Sequence, residues 1–211
     1  MASEEGDGRG PYRGLLTDYG GVLTTNLFDS FRAFSEQEGL EPESVRQRFR
    51  EDPGARELLI GLETGELDEE EFEPRFAEIL GVQSPNLIDR LFAGSAPDEA
   101  MVAAVLKAHQ AGVRTGLISN SWGTRRYDRT RLAELFDAVV ISGEVGIRKP
   151  ALEIYELGAQ RVGLPAQQCV FVDDLPFNLK PAAELGMATV HHVTPDQTIT
   201  ELEQLLAVNL S

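Results

Sequence analysis

The chain has 211 residues, 42% of them hydrophobic and 26% charged, which is ordinary for a globular protein with one good-sized core or a core plus a modest insertion. Its formal net charge of −16 disfavours nucleic acid or an anionic membrane as a partner, because both call for a basic surface. The single cysteine, Cys169, excludes an intramolecular disulfide, and no run reaches membrane-spanning length or reads as a secretory leader, so a cytoplasmic location is the default expectation.

In chain order, residues 1–10 are polar and glycine-rich and are expected to be disordered. An apolar run ahead of Asp18, Gly20 and Gly21 predicts a first strand over Arg13–Leu16. A long helical section follows from about Phe28 to Phe92, with Leu27, Phe28, Phe31 and Phe34 at helical spacing. Gly61–Leu67 reads as a turn. Asp68-Glu69-Glu70-Glu71 then opens a helix with acids at its positive end, and Phe72, Phe76, Ile79 and Leu80 form its buried face. Residues 25–95 thus read as an all-helical module.

From Pro97 onward helices and strands alternate. Helices are expected at Glu99–Gln110 (ended by Gly112), Arg129–Leu135, Ala151–Val162, Leu179–Leu185 and Thr200–Leu206. Strands are expected at Val113–Ser119, Ala138–Ser142, Cys169–Val172 and Ala188–His191. Such alternation means βαβ units and a parallel sheet. The first strand belongs with the later ones, so residues 12–24 and 96–211 form an α/β core into which residues 25–95 are inserted. Cys169 lies beside a strand core and reads as a small buried apolar residue rather than a reactive thiol.

The chemistry gathers at strand ends. Val170-Phe171-Val172 delivers two adjacent carboxylates, Asp173 and Asp174, which repel each other unless a cation or a network holds them. Asp18 ends the first strand in the same way. Strand-end carboxylates from distant parts of a chain can converge at the carboxyl edge of a parallel sheet, where open α/β folds bind ligands. Between them stand Ser119-Asn120, which alone would read as a cap or turn, and Lys149, one of only three lysines. Pro150 keeps Lys149 in extended backbone, while Arg148 reads as a surface residue and His191 and His192 as structural or solvated.

The order Asp18, Ser119-Asn120, Lys149, Asp173-Asp174 resembles the haloacid dehalogenase-like (HAD) hydrolase superfamily, from about Leu15 to Val193. More narrowly, Val145-Gly146-Ile147-Arg148-Lys149-Pro150 and Asp173-Asp174…Asn178-Leu179-Lys180-Pro181-Ala182 look like the N-terminal phosphatase domain of soluble epoxide hydrolases and their bacterial relatives. The resemblance implies a Rossmann-like core with a small helical cap and a phosphomonoesterase acting on a small organic phosphate. It makes Asp18 the nucleophile that becomes an aspartyl phosphate, with Lys149 reducing charge repulsion around it. Ser119, Asn120 and Lys149 would bind the phosphoryl group. Asp18, the Gly20 carbonyl, Asp173 and Asp174 would hold the metal, with Asn178 supporting them. Oxygen-only ligation suits Mg²⁺. Which aspartate of the pair binds it directly stays open.

One departure stands out. Most phosphatases of this family carry a second aspartate two positions after the nucleophile, which protonates the leaving group; here that position is Gly20. The alternative reading is therefore a catalytically weak or inactive phosphate-binding protein. A Schiff-base mechanism is unsupported because no lysine precedes Lys107, and the Asp173-Asp174 pair argues against a metal-free dehalogenase.

Overall fold

The computed structural model describes residues 12–211; the disorder expected of residues 1–10 lies outside them. Strand β1 (Gly14–Thr17) leads into five helices: α1 (Leu27–Gln37), α2 (Ser44–Glu51), α3 (Pro53–Thr64), α4 (Glu69–Leu80) and α5 (Leu87–Leu91). The chain then alternates through α6 (Glu99–Gln110), β2 (Arg114–Ser119), α7 (Arg129–Leu135), β3 (Ala138–Ile141) and the single turn α8 (Ser142–Val145). It ends with α9 (Leu152–Val162), β4 (Cys169–Asp173), α10 (Pro176–Glu184), β5 (Ala188–His191) and α11 (Pro195–Leu206).

Among the described residues the strands form one parallel sheet in the order β3-β2-β1-β4-β5. Successive side chains point to opposite faces. Leu15, Leu117, Val170 and Val172 pack against α6, α7 and α11, whereas Leu16, Ile118 and Phe171 pack against α9 and α10. Burial on both faces explains why these strands read as continuous apolar runs. The fold is therefore the α/β, Rossmann-like class expected from the alternation.

Each strand lies within a residue of its expected bounds; the helix ends differ more. The segment read as a turn at Gly61–Leu67 is helical through Thr64, because Gly65 takes the left-handed conformation (φ 74°) that stops α3. Helix α10 starts at Pro176 and α11 at Pro195, earlier than expected, since a proline at the first helical position loses no hydrogen bond. In α11 the Thr194 hydroxyl accepts the Gln197 N–H.

Residues 27–91 build a core of their own around Phe34, Leu62, Phe72 and Phe76. The two connections to it run side by side: Thr24 pairs with Pro97 as an antiparallel bridge, and Thr25 N–H donates to the Ala96 carbonyl at 2.8 Å. At the other end Gly65 abuts Gly143 so closely that a Cβ there would meet the Gly143 carbonyl oxygen at 2.4 Å. The loop after β2 also belongs to both modules. Its Trp122, the chain's one tryptophan, packs among Phe31, Phe49, Phe72 and Phe92 with ring centroids 5.3–5.8 Å away. Arg125 and Arg126 of the same loop pair with Glu69 and Asp89 of the helical module. Among the described residues no helix is long and apolar enough to cross a membrane.

Trp122→Ala is expected to lower unfolding stability by roughly 2–3 kcal/mol, less than the 3–5 typical of a fully buried tryptophan because Trp122 is only partly buried. Urea denaturation checks this; a loss below about 0.5 kcal/mol would contradict the packing described.

Candidate active site

The sheet order brings the distant motifs together. β1 is central, with β2 on one side and β4 on the other, and Thr17 is level with Leu117 and Val172. Asp18, the next residue, is therefore level with Asp173, and its N–H donates to the Val172 carbonyl at 2.9 Å. Carboxylate oxygens of Asp18, Asp173 and Asp174 all lie within 4.8 Å of one another.

Lys149 holds this acidic cluster together. It is 1% exposed, and its Nζ lies 2.8 Å from Asp18 Oδ1 and 2.7 Å from Asp173 Oδ2. Burial alone would lower the lysine pKa; Asp173 and Asp18 overcome that and hold the ammonium above its ordinary value. The Lys149 backbone is gripped by Asn120, whose Oδ1 accepts the Lys149 N–H at 2.8 Å and whose Nδ2 donates to the Lys149 carbonyl at 3.0 Å. Asn120 thus positions the lysine, a role its place after a strand did not reveal.

The two aspartates of the pair sit differently. Asp173 is fully buried, and its oxygens accept from the Leu175 N–H, Asn178 Nδ2 and Lys149 Nζ. Asp174 is half-buried and lines the cavity beside Asp18. Burial and the neighbouring Asp173 charge push Asp174 up to about 6. Asp18 is also raised, by burial first and by Asp173 and Asp174, against the pull of Lys149. Gly21, at φ 76°, makes room for Asp174: a Cβ would meet Asp174 Oδ2 at 2.4 Å. Asn178 Oδ1 is buried without a hydrogen-bond partner among the described residues. A divalent cation fits this donor set, because it offsets the crowding that raises Asp18 and Asp174 and leaves their oxygens ionised as hard ligands.

Ser119 is 2% exposed and its hydroxyl lies 2.8 Å from the Tyr127 hydroxyl. It lines a cavity of about 210 Å³ next to the one that holds Asp18. Gly20 carries no positive φ; instead, a Cβ on it would meet Leu27 Cδ1 at 2.7 Å, so an apolar side chain from the helical module occupies the space a carboxylate would need. His191 Nε2 lies 3.1 Å from the Asp174 carbonyl, and His192 Nδ1 lies 2.9 Å from Thr198 Oγ1, its pKa lowered by burial. Cys169 is fully buried, and burial pushes its thiol up to about 11.

Arg148 corrects the expectation of a surface residue. Its Nε lies 2.6 Å from Oε2 of Glu63, a carboxylate of α3 that is itself 6% exposed. Glu63 Oε2 is also 3.4 Å from Asn120 Nδ2. From the sequence, Glu63, Glu66 and Asp68 are the helical-module carboxylates to consider in place of the acid missing at Gly20; reading Gly61–Leu67 as a turn hid the pairing of Glu63 with Arg148. The usable signal was its place beside Leu58 and Leu62, the buried stripe of a helix.

Asp18, Gly20, Asn120, Lys149, Asp174 and Glu63 open onto one cavity of about 520 Å³. Its walls are largely apolar, with Leu27, Phe28, Phe31, Phe49, Leu59, Trp122 and Phe177, and Arg46, Arg50 and Arg148 also line it. A charged floor under an apolar wall suits a ligand with an anionic end and an apolar body.

Residues 12–186 match the family described as haloacid dehalogenase-like hydrolase, and the chain belongs to that family. It is 26% identical over 218 residues to bifunctional epoxide hydrolase 2 of Sus scrofa, a match spanning 94% of this chain and 39% of that protein. It is 30% identical over 122 residues to glyceraldehyde 3-phosphate phosphatase of Methanocaldococcus jannaschii, covering 51% of this chain and 54% of that one. A shorter match, 37% identical over 73 residues, links it to sesquiterpene phosphatase of Aspergillus oryzae, with 35% of this chain and 37% of the other covered. The chain thus spans well under two thirds of these relatives' lengths. In fold it resembles a HAD family enzyme of Bacteroides thetaiotaomicron solved with magnesium and inorganic phosphate, with TM-score 0.65 and 22% identity over 86% of this chain and 94% of that one.

Lys149→Met is expected to cost roughly 3 kcal/mol of stability in chelator, because it leaves buried carboxylates without their cation. Urea titration measures it; a variant as stable as the parent would show that the ammonium does not hold the cluster.

Proposed function

We propose that this chain is a Mg²⁺-dependent phosphomonoesterase acting on a small organic phosphate with an apolar body. The observation that carries the reading is the Lys149 ammonium bridging Asp18 and Asp173 at the floor of an apolar-walled cavity. Relatives named as phosphatases of glyceraldehyde 3-phosphate and of sesquiterpenes support the reaction class.

In this reading Asp18, the Gly20 carbonyl and Asp174 hold the metal, and Asp173, braced by Asn178 and Leu175 N–H, keeps Lys149 and the cluster in place. A Mg²⁺ ion held there would supply positive charge to offset that of the phosphoryl group. Asp18 Oδ attacks phosphorus and becomes an aspartyl phosphate, which splits one hard displacement into two easier ones. Lys149 stays against Asp18 and lowers the repulsion between carboxylate and phosphate. The Ser119 hydroxyl, 2.8 Å from that of Tyr127, would donate to a phosphoryl oxygen. Asn120 acts mainly through its grip on the Lys149 backbone. The apolar wall takes the leaving group. Gly20, with Leu27 over it, favours a second reading, a phosphate-binding protein that turns over weakly.

Calorimetry should show Mg²⁺ binding to the parent that Asp174→Asn weakens at least 10-fold, a step of about 1.4 kcal/mol. Unchanged affinity would remove Asp174 from the metal site.

Beryllofluoride with Mg²⁺ should bind the parent and raise its melting temperature, and should leave Asp18→Ala unchanged. Equal binding to both would rule out Asp18 as the nucleophile. Release of phosphate from an aryl phosphate by the parent, abolished by chelator, separates the esterase from the weak phosphate binder.

A further inference from the structure

Gly20 leaves the proposed esterase without a core group to protonate the leaving oxygen, and Leu27 fills the space where one would sit. The helical module supplies a carboxylate from the opposite side. Glu63 lies in the last turn of α3, is 6% exposed, and opens onto the same cavity as Asp18 and Gly20. Its Oε2 is 3.4 Å from Asn120 Nδ2, and Asn120 grips the backbone of Lys149, whose Nζ is 2.8 Å from Asp18. The phosphoryl group sits against Asp18 and Lys149, so the leaving group must project toward the helical module, where Glu63 stands.

We propose that Glu63 is the catalytic acid and base of this site, an inference that rests on the phosphomonoesterase reading. In the first half Asp18 Oδ bonds to phosphorus while the bond from phosphorus to the ester oxygen breaks. The electron pair goes to that oxygen, which takes the Glu63 proton and leaves as the alcohol. In the second half water attacks phosphorus and gives its proton to the Glu63 carboxylate. The bond between phosphorus and the Asp18 oxygen breaks, which restores the Asp18 carboxylate and frees inorganic phosphate.

A group that gives a proton in one half and takes one in the other works best with a pKa near the working pH. Burial pushes Glu63 up to about 7, against the pull of Arg148 and Lys149. The other charged or titratable groups around it are Arg46, Arg50, Asp18 and Asp174 in the cavity and Tyr127 behind it. Arg148, 2.6 Å away, orients the carboxylate and holds its pKa below the value burial alone would set.

The test compares the Mg²⁺-loaded parent, Glu63→Gln and Arg148→Met on an aryl and an alkyl phosphate. Glu63→Gln should lose about 10²-fold or more in kcat/KM on the alkyl ester, whose leaving group needs the proton. On the aryl ester it should still give a burst of phenol, followed by slow turnover as phosphoenzyme accumulates. Arg148→Met removes a cation that lowers the Glu63 pKa, so the alkaline fall in alkyl-ester rate should move to higher pH. That shift stands as a separate readout if Glu63→Gln folds poorly. Equal losses on both esters without a burst, no loss on either, or an unmoved pH limb would overturn the role of Glu63 and leave it only a latch for Arg148. A parent that releases no phosphate from either ester would instead overturn the phosphomonoesterase reading beneath it.

Discussion

The buried ammonium of Lys149 is the constraint around which the rest of the molecule is arranged. Three carboxylates meet where β1 and β4 end, and Lys149 is the cation in direct contact with two of them. One fully enclosed cation between Asp18 and Asp173 makes that gathering tolerable, and it must arrive from a loop that no strand fixes. Hence the grip of Asn120 on the lysine backbone, which ties the end of β2 to that loop. Hence also the supports of Asp173: with its oxygens taken by Leu175 N–H, Asn178 and Lys149, it cannot swing away from the lysine. Breaking any one of these would leave an unpaired polar group in a dry interior, which is costlier than losing a surface contact.

Much of this was legible because a parallel sheet turns sequence order into position. Each apolar run predicted a strand, each run is followed by a polar residue, and a sheet with β1 at its centre forces Asp18 to lie level with Asp173. The carboxylate pair, Lys149 ahead of Pro150 and the nucleophile candidate could be found one at a time. The helical insertion was legible for a similar reason, since Phe72 and Phe76 keep helical spacing and Asp68 caps their helix by accepting the Glu71 N–H.

What stayed hidden depends on contacts between parts that no local pattern links. Arg148 looked like an exposed neighbour of Lys149 because its partner, Glu63, lies far away in the chain and at the end of a helix whose last turn contains a glycine, Gly61. Helix propensity counts that glycine against a helix, and packing overrode it. Tyr127 behind Ser119 and Leu27 over Gly20 have the same character. The assignment of distinct places to Asp173 and Asp174 needed the hydrogen bonds themselves, since adjacent identical residues carry no sequence signal that separates them.

The loop after β2 has two masters. Asn120 at its start is fastened to the Lys149 backbone, and Trp122 two residues on is embedded among the phenylalanines of the helical module. A hinge motion that lifted the helices off the sheet would either extract Trp122 or drag Asn120 away from the lysine. The one loop thus ties the helical module to the charged floor. Trp122 and Lys149 line the same cavity, so an apolar molecule filling it would lie between the aromatic cluster and the charged floor.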